Sequence, residues 1–354
     1  LTELPRVTSE MNIHVFCTSG FLTHVAACFI QGITAGRLAH VSINLESVSV
    51  DSRSISTPDL NGYALTLATR QGVEDVLVID ESRALSGGIL SDPSISQFYN
   101  TLRDLSKKKP VLVLYMQDDA NFVRFPEGLT VFSSHRNKFA CFENDPLPLP
   151  FSVSLDILNR ADQSLARGHA RKMVAIRNFR PSYNQAIRDV LDLALVPLLS
   201  KVLEITDGLL FDEAYAEQLS ASQMVLAYGG TLYPDFSINP SLRAVHLDVF
   251  KERAAVFRWD SWRFWESLAF GCATVQLDCE KYGFVLPHTP TPWVHYIPLD
   301  LANIPGLVRQ ISEELESDPS FLLRIGEQGR AWMLHHYHPT KRALEILREA
   351  LVRF

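Results

Sequence analysis

The stretch RWDSWRFWESLAFGCATVQLD, residues 258–278, decides the reading of this chain. From Arg263 to Phe270 its spacing is that of a helix, Gly271 ends it, and Ala273–Leu277 is a strand. A helix delivered through a glycine turn into a buried strand is one repeat of an α/β domain. Asp260 or Ser261 stands where a short oxygen-bearing side chain can satisfy the open amides of a helix start. Those amides, with the helix dipole, also suit a phosphate. Residues three and four apart share a helix face, which groups Arg263 with Glu266 and Ser267. A carboxylate on that face can accept two hydrogen bonds from a ribose diol. The competing reading is an amphipathic helix with Phe264, Trp265, Leu268 and Phe270 in a core and the charged pair in water.

The same rhythm runs outward in both directions. Asn12–Cys17 (NIHVFC) is a strand, Thr18-Ser19-Gly20 a turn, and Phe21–Thr34 a helix. Extended runs follow at His40–Ser49, Val73–Asp80, Val111–Met116 and Leu129–Ser133, with a helix over Ser96–Leu105. Their apolar character is continuous rather than alternating, which predicts parallel strands covered on both faces. Asn144–Pro150 (NDPLPLP) carries three prolines and reads as a connector rather than an element. Beyond it come a strand at Lys172–Ile176, a long helix over Tyr183–Lys201 that Pro197 bends or ends, and a helix at Ala214–Ala221. Helices at 304–314, 319–335 and 340–353 close the chain. The expected architecture is α/β: two Rossmann-like domains facing a cleft. Residues 1–150 form the first, 151–339 the second, and 340–354 a terminal helix able to return to the first.

At 354 residues the chain exceeds what one core usually supports, and 47% hydrophobic residues suffice for two. A formal net charge of -7 gives no bulk field for nucleic acid, and none is expected as a partner. Five cysteines form no close CxxC pair, no apolar run reaches the length of a membrane span, and the start shows no signal-like apolar run. The expected location is therefore the cytoplasm. Composition leaves the oligomeric state open.

The segment 264–272, FWESLAFGC, closely resembles the donor-binding region of exostosin-like and protein O-glucosyltransferase-like enzymes. That resemblance implies the two-domain glycosyltransferase B-type fold. It also implies a nucleotide-diphosphate sugar as donor substrate, with Arg263 and Glu266 lining its site and Glu266 near the ribose. Phe179-Arg180-Pro181-Ser182, with Arg188 six residues on, resembles the phosphate-contacting loop of the same family. There Arg180 would neutralise the departing diphosphate and Ser182 would add a hydroxyl donor. Pro181 stands where the family often has glycine, a departure in the path of this loop. A third match, His295–Leu299 with Ile325–Arg330, resembles the end of the donor domain; His295 reads as structural and Gly329 as a helix-related turn. The resemblance covers the second half of the chain.

Glycosyl transfer needs positive charge on the leaving diphosphate, a nucleoside pocket, and often a base for the acceptor hydroxyl. Arg180 and Arg263 are the candidates for the charge. Asp260, Ser261, Glu266 and Ser182 complete the donor side. Asp119 and His135 are candidate bases, with Asp118, Asp80 and Glu81 beside them. Adjacent Asp118 and Asp119 can also hold a divalent metal in another glycosyltransferase architecture. His335, His336 and His338 have no cysteine to complete a zinc spacing, so neither metal nor cofactor is expected. The acceptor is a glycan, a protein or a small molecule. Competing functions are a catalytically inactive protein that binds a nucleotide sugar or glycan, another nucleotide-sugar enzyme such as an epimerase or hydrolase, and a structural interaction protein.

Overall fold

Thr23 shows how these residues become elements: its hydroxyl accepts the amide of Ala26 at 3.2 Å and caps helix α1, His24–Gly36. A cap of this kind is worth about 1 kcal/mol. The computed structural model describes residues 11–17, 22–44, 75–81, 93–116, 127–139, 146–168, 170–179, 186–233 and 255–354. They divide into two compact units: Leu1–Ser134 with Cys141–Pro150 and Pro339–Phe354, and His135–Ala140 with Phe151–His338.

The first unit is built on a parallel sheet. Its strands are β1 (Asn12–Cys17), β2 (His40–Asn44), β3 (Val76–Glu81), β4 (Val111–Tyr115), β5 (Thr130–Ser133) and β6 (Leu147–Pro148), in the order β2-β1-β3-β4-β5-β6. Helix α2 is Pro93–Ser106. Val15, Val78, Leu112 and Leu114 are fully buried, as a sheet covered on both faces requires. The proline-rich connector is corrected in part. Leu147 and Pro148 pair with Phe132 and Ser133 at the edge of the sheet, a place where a residue lacking an N–H is tolerated. The last helix of the chain, Pro339–Arg353, belongs to this unit. Gly32 of α1 admits it: a Cβ there would stand 2.2 Å from the oxygen of Pro339.

The second unit carries the candidate site. It opens with α3 (Leu155–Ala166), and Ser154 caps it through Ile157 N at 3.3 Å. Strands β7 (Lys172–Arg177), β8 (Glu204–Asp207), β9 (Ser222–Leu226), β12 (Ala273–Leu277) and β13 (Ile297–Leu299) form a parallel sheet ordered β13-β12-β9-β7-β8. A short antiparallel pair, β10 (Thr231–Tyr233) and β11 (Ala255–Phe257), stands apart from it. The long helix expected over 183–201 is two: α4 (Ala186–Ala194) and α5 (Val196–Leu199). Pro197 opens the second, where its missing N–H costs nothing. Then come α6 (Asp212–Ala221), α7 (Trp262–Ala269), α8 (Ile304–Ser317) and α9 (Phe321–Tyr337); the helix at the end of the chain is α10.

Gly329 is corrected too: it lies inside α9, not in a turn. A Cβ there would meet the oxygen of His295 at 2.3 Å, and one at Gly326 would meet the oxygen of Gly271 at 2.1 Å. The two glycines let α9 lie directly on backbone. Both sheets thus deliver the expected pair of Rossmann-like units, each a parallel sheet with flanking helices. In each, the second strand lies outside the first and the third lies on the first strand's other side. The order reverses between β1 and β3 and again between β7 and β9, the points where open α/β sheets bind ligands at their carboxyl ends.

Candidate functional site at the reversal of the second sheet

Arg177 ends β7, and Asn178 and Phe179 follow it; past the end of β9 come Ala227, Tyr228 and two buried glycines. Gly230, at φ 115, holds a backbone conformation that side chains rarely adopt. The rings of Phe179 and Tyr228 meet edge-on at 5.3 Å. Guanidinia lie on Phe179: Arg177 at 4.5 Å from its centroid and Arg188, from the first turn of α4, at 4.9 Å.

These two arginines are not equivalent. Arg177 is neutralised by Asp192, in a close two-point contact, and by Asp207 at 2.8 Å. Its guanidinium proton is held more tightly than usual, chiefly by the bond to Asp192. Arg188 has no carboxylate within 4.0 Å among the described residues; its Nε points at the oxygen of Tyr228, 3.4 Å away. Burial, with the neighbouring charge of Arg263, pushes its pKa down to about 10. A cation partly removed from water beside a like charge, at the head of a helix and the reversal of a sheet, is placed for an anion.

Helix α7 supplies the rest. Its carboxyl-terminal carbonyls are held by arginines: Ala269 accepts from Arg330 Nε at 2.8 Å, Gly271 from Arg171 at 2.6 Å, and Phe270 also from Arg171. Cations at that end complement the helix dipole. Gly271 turns the chain at φ 69 into β12. Near the other end, Arg263 donates its Nε to the main-chain oxygen of Asn178. One turn on, Glu266 is half-buried and its carboxylate makes no hydrogen bond among the described residues; burial raises its pKa and the Arg263 charge offsets part of that. Tyr215 of α6 has its hydroxyl buried, and burial with the Glu266 charge raises its pKa. That hydroxyl approaches the Asn178 amide, yet no partner among the described residues meets it in hydrogen-bonding geometry.

Arg263 and Glu266 therefore stand together, as read from the sequence. Asp260 and Ser261 stand otherwise. Ser261 is the capping residue of α7 by position but its side chain makes no capping bond. Asp260 is buried, and its carboxylate accepts Phe151 N at 2.6 Å and Trp265 Nε1 at 2.7 Å. It pins the entering chain to α7. His135 lies in this second unit, buried, with φ 55. Its Nδ1 accepts the amide of Asp260 at 3.1 Å, and its ring packs edge-on against Phe151 at 5.0 Å. Asp119, Arg180 and Ser182 lie outside the described residues. Asp80, at the reversal of the first sheet, is fully buried and accepts Thr23 N at 2.7 Å and Thr23 Oγ1 at 2.6 Å. His336 stacks on His288 at 4.3 Å. Among the described residues no three His, Cys, Asp or Glu side chains gather as metal ligands. Sequence reasoning missed Asn178, Tyr215 and Tyr228. The Gly-Gly pair after an apolar run was the one signal for Tyr228.

No protein-family model matches the chain, and no curated protein matches it. Among solved structures, a glycotransferase of kitacinnamycin is 12% identical with a TM-score of 0.40, covering 96% of this chain and 99% of its own. A LacI family transcriptional regulator from Arthrobacter sp. FB24, in complex with lactose, is 14% identical with a TM-score of 0.22, covering 88% and 91%. Likenesses at these TM-scores carry no weight for fold or function. Among the described residues, no helix is long and apolar enough to cross a membrane.

Proposed function

We propose that the second unit binds a nucleotide-diphosphate sugar and that the protein transfers the sugar to an acceptor hydroxyl, as a metal-independent glycosyltransferase of the B-type fold. The observation that carries this reading is the pairing at the sheet reversal of a cation with no described counter-charge, Arg188, with Arg263 and an unengaged carboxylate, Glu266. A diphosphate supplies the missing negative charge, and the head of α4 adds backbone amides. The charge on a departing nucleoside diphosphate grows as the glycosidic bond breaks, so guanidinia fixed beforehand stabilise the transition state more than the ground state. Glu266 is placed to accept hydrogen bonds from a ribose diol. Arg180 and Ser182, in the sequence between β7 and α4, would join the phosphate contacts, and Asp119 is the remaining candidate base. The four described cysteines are buried free thiols, in keeping with a reducing compartment such as the cytoplasm.

The burial of His135 favours a second reading, donor binding without transfer. Its Nδ1 is occupied and its ring is enclosed, so it is poorly placed to take a proton from an acceptor. A panel of nucleotide sugars, assayed for binding and for released nucleoside diphosphate with and without candidate acceptors, separates the two. Binding with release supports transfer or donor hydrolysis, and glycosylated product selects transfer. Binding without release supports the second reading. No binding to any donor removes both.

A further inference from the structure

We propose that the loop Gly208–Phe211 is the nucleobase wall of this site, with Leu209 and Phe211 touching the ring; the inference rests on the donor reading above. The loop follows β8 at the carboxyl edge of the sheet, beside the end of β7. One residue ties it to the charged groups. Asn178, 1% exposed, grips the loop with both ends of its side-chain amide: Oδ1 accepts Leu210 N at 2.7 Å and Nδ2 donates to Leu210 O at 3.0 Å. Its main-chain oxygen meanwhile holds Arg263. Loop and guanidinium are thereby fixed to one buried residue.

The clamp leaves apolar side chains outward on either side of Leu210. Leu209 is 42% exposed and Phe211 56%, so the fold itself does not use them. Four residues on, Tyr215 N donates to Phe211 O at 3.3 Å, which ties the loop to the first turn of α6. The edge of the site therefore offers an apolar wall tied through Asn178 to Arg263 and, one turn on along α7, the Glu266 carboxylate. A nucleobase matches that set: it has a flat face for Phe211 and Leu209. It is also joined to the ribose that Glu266 would hold. A sugar ring lacks the flat π face, and inorganic pyrophosphate lacks any apolar part.

The test compares UDP, GDP, ADP, CDP and dTDP with inorganic pyrophosphate by calorimetry, without acceptor, for the wild type, Leu209→Ser and Phe211→Ser. Both side chains are exposed, so melting temperatures should match the wild type. We expect one or more nucleoside diphosphates to bind the wild type more tightly than pyrophosphate. Phe211→Ser should then weaken that binding about tenfold and Leu209→Ser less, with pyrophosphate affinity unchanged. An unchanged gap in both variants overturns the wall and leaves the donor reading standing. The wall alone also falls if nucleoside diphosphates bind no better than pyrophosphate. A wild type that binds none of the probes overturns the donor reading and this inference with it.

Discussion

Arg188 sets its guanidinium over the ring of Phe179, 4.9 Å from the centroid, on a residue whose neighbour Arg177 is tied to carboxylates. The sheet therefore presents one balanced arginine and one with no described counter-charge at the same reversal. The difference gives Arg188 a signature that a structural arginine lacks. Arg188→Ala should cost donor affinity one to two orders of magnitude, since a hydrogen bond to a charged group is worth about 1.5–3 kcal/mol. Stability should change little, because the guanidinium is disfavoured where it stands. Calorimetry with the nucleoside diphosphates and a thermal melt check both. A large fall in melting temperature with unchanged affinity would recast Arg188 as structural.

Glu266 and Arg263 give a paired expectation. Glu266→Ala should weaken donor binding or turnover with the fold intact. Arg263→Ala should lower activity more than stability, although it also frees the oxygen of Asn178. Steady-state kinetics and melts on both variants are the measurement. Wild-type kinetics in both would remove this helix face from the site.

Asp260 gives a pH expectation with a definite sign. Burial raises its folded pKa to about 6, against 3.8 for the free side chain, although bonds from Phe151 and Trp265 pull the other way. The folded form therefore holds its proton more tightly than the unfolded chain. The resulting stability is fully present below about pH 3.8 and is lost as pH rises through about 6. The loss is on the order of 3 kcal/mol. Chemical denaturation of wild type and Asp260→Asn between pH 4 and 7 isolates it. The wild type should lose stability relative to the variant over that range. A wild type that gained relative stability would show that the hydrogen bonds outweigh the burial.

Gly326→Ala and Gly329→Ala set helix propensity against packing. Alanine in a helix interior is favoured over glycine by about 1 kcal/mol. Here the added carbon would stand 2.1 Å from the oxygen of Gly271 or 2.3 Å from that of His295. Backbone cannot yield cheaply, so both variants should be destabilised, by about 1–3 kcal/mol for a steric misfit in a packed interior. A raised melting temperature in either would contradict the close contact of α9.

Much of this was readable in the residues. Helix α7, the turn at Gly271 and β12 stood out because aromatic spacing, a glycine and a short strand-like run fall in sequence. The shared face of Arg263 and Glu266 follows from helical geometry alone. Strands β8 and β9 did not stand out: EITD is short and polar at both ends, and SQMVL runs on from α6 without a breaker. Their absence hid the sheet reversal, and with it the meaning of Arg177, Asn178 and Tyr228. Asp260 looked like a cap because it is an Asp before a helix. Its carboxylate instead serves Phe151, more than a hundred residues earlier, a partner that no local pattern announces.

The most direct measurement is titration of the wild type and of Arg188→Ala with UDP, GDP, ADP, CDP and dTDP at low and high salt. At least one of them should bind the wild type saturably, with binding weakened about tenfold or more by the substitution and weakened by salt. No saturable binding to the wild type, or equal binding to both proteins, would contradict an anionic donor at this arginine.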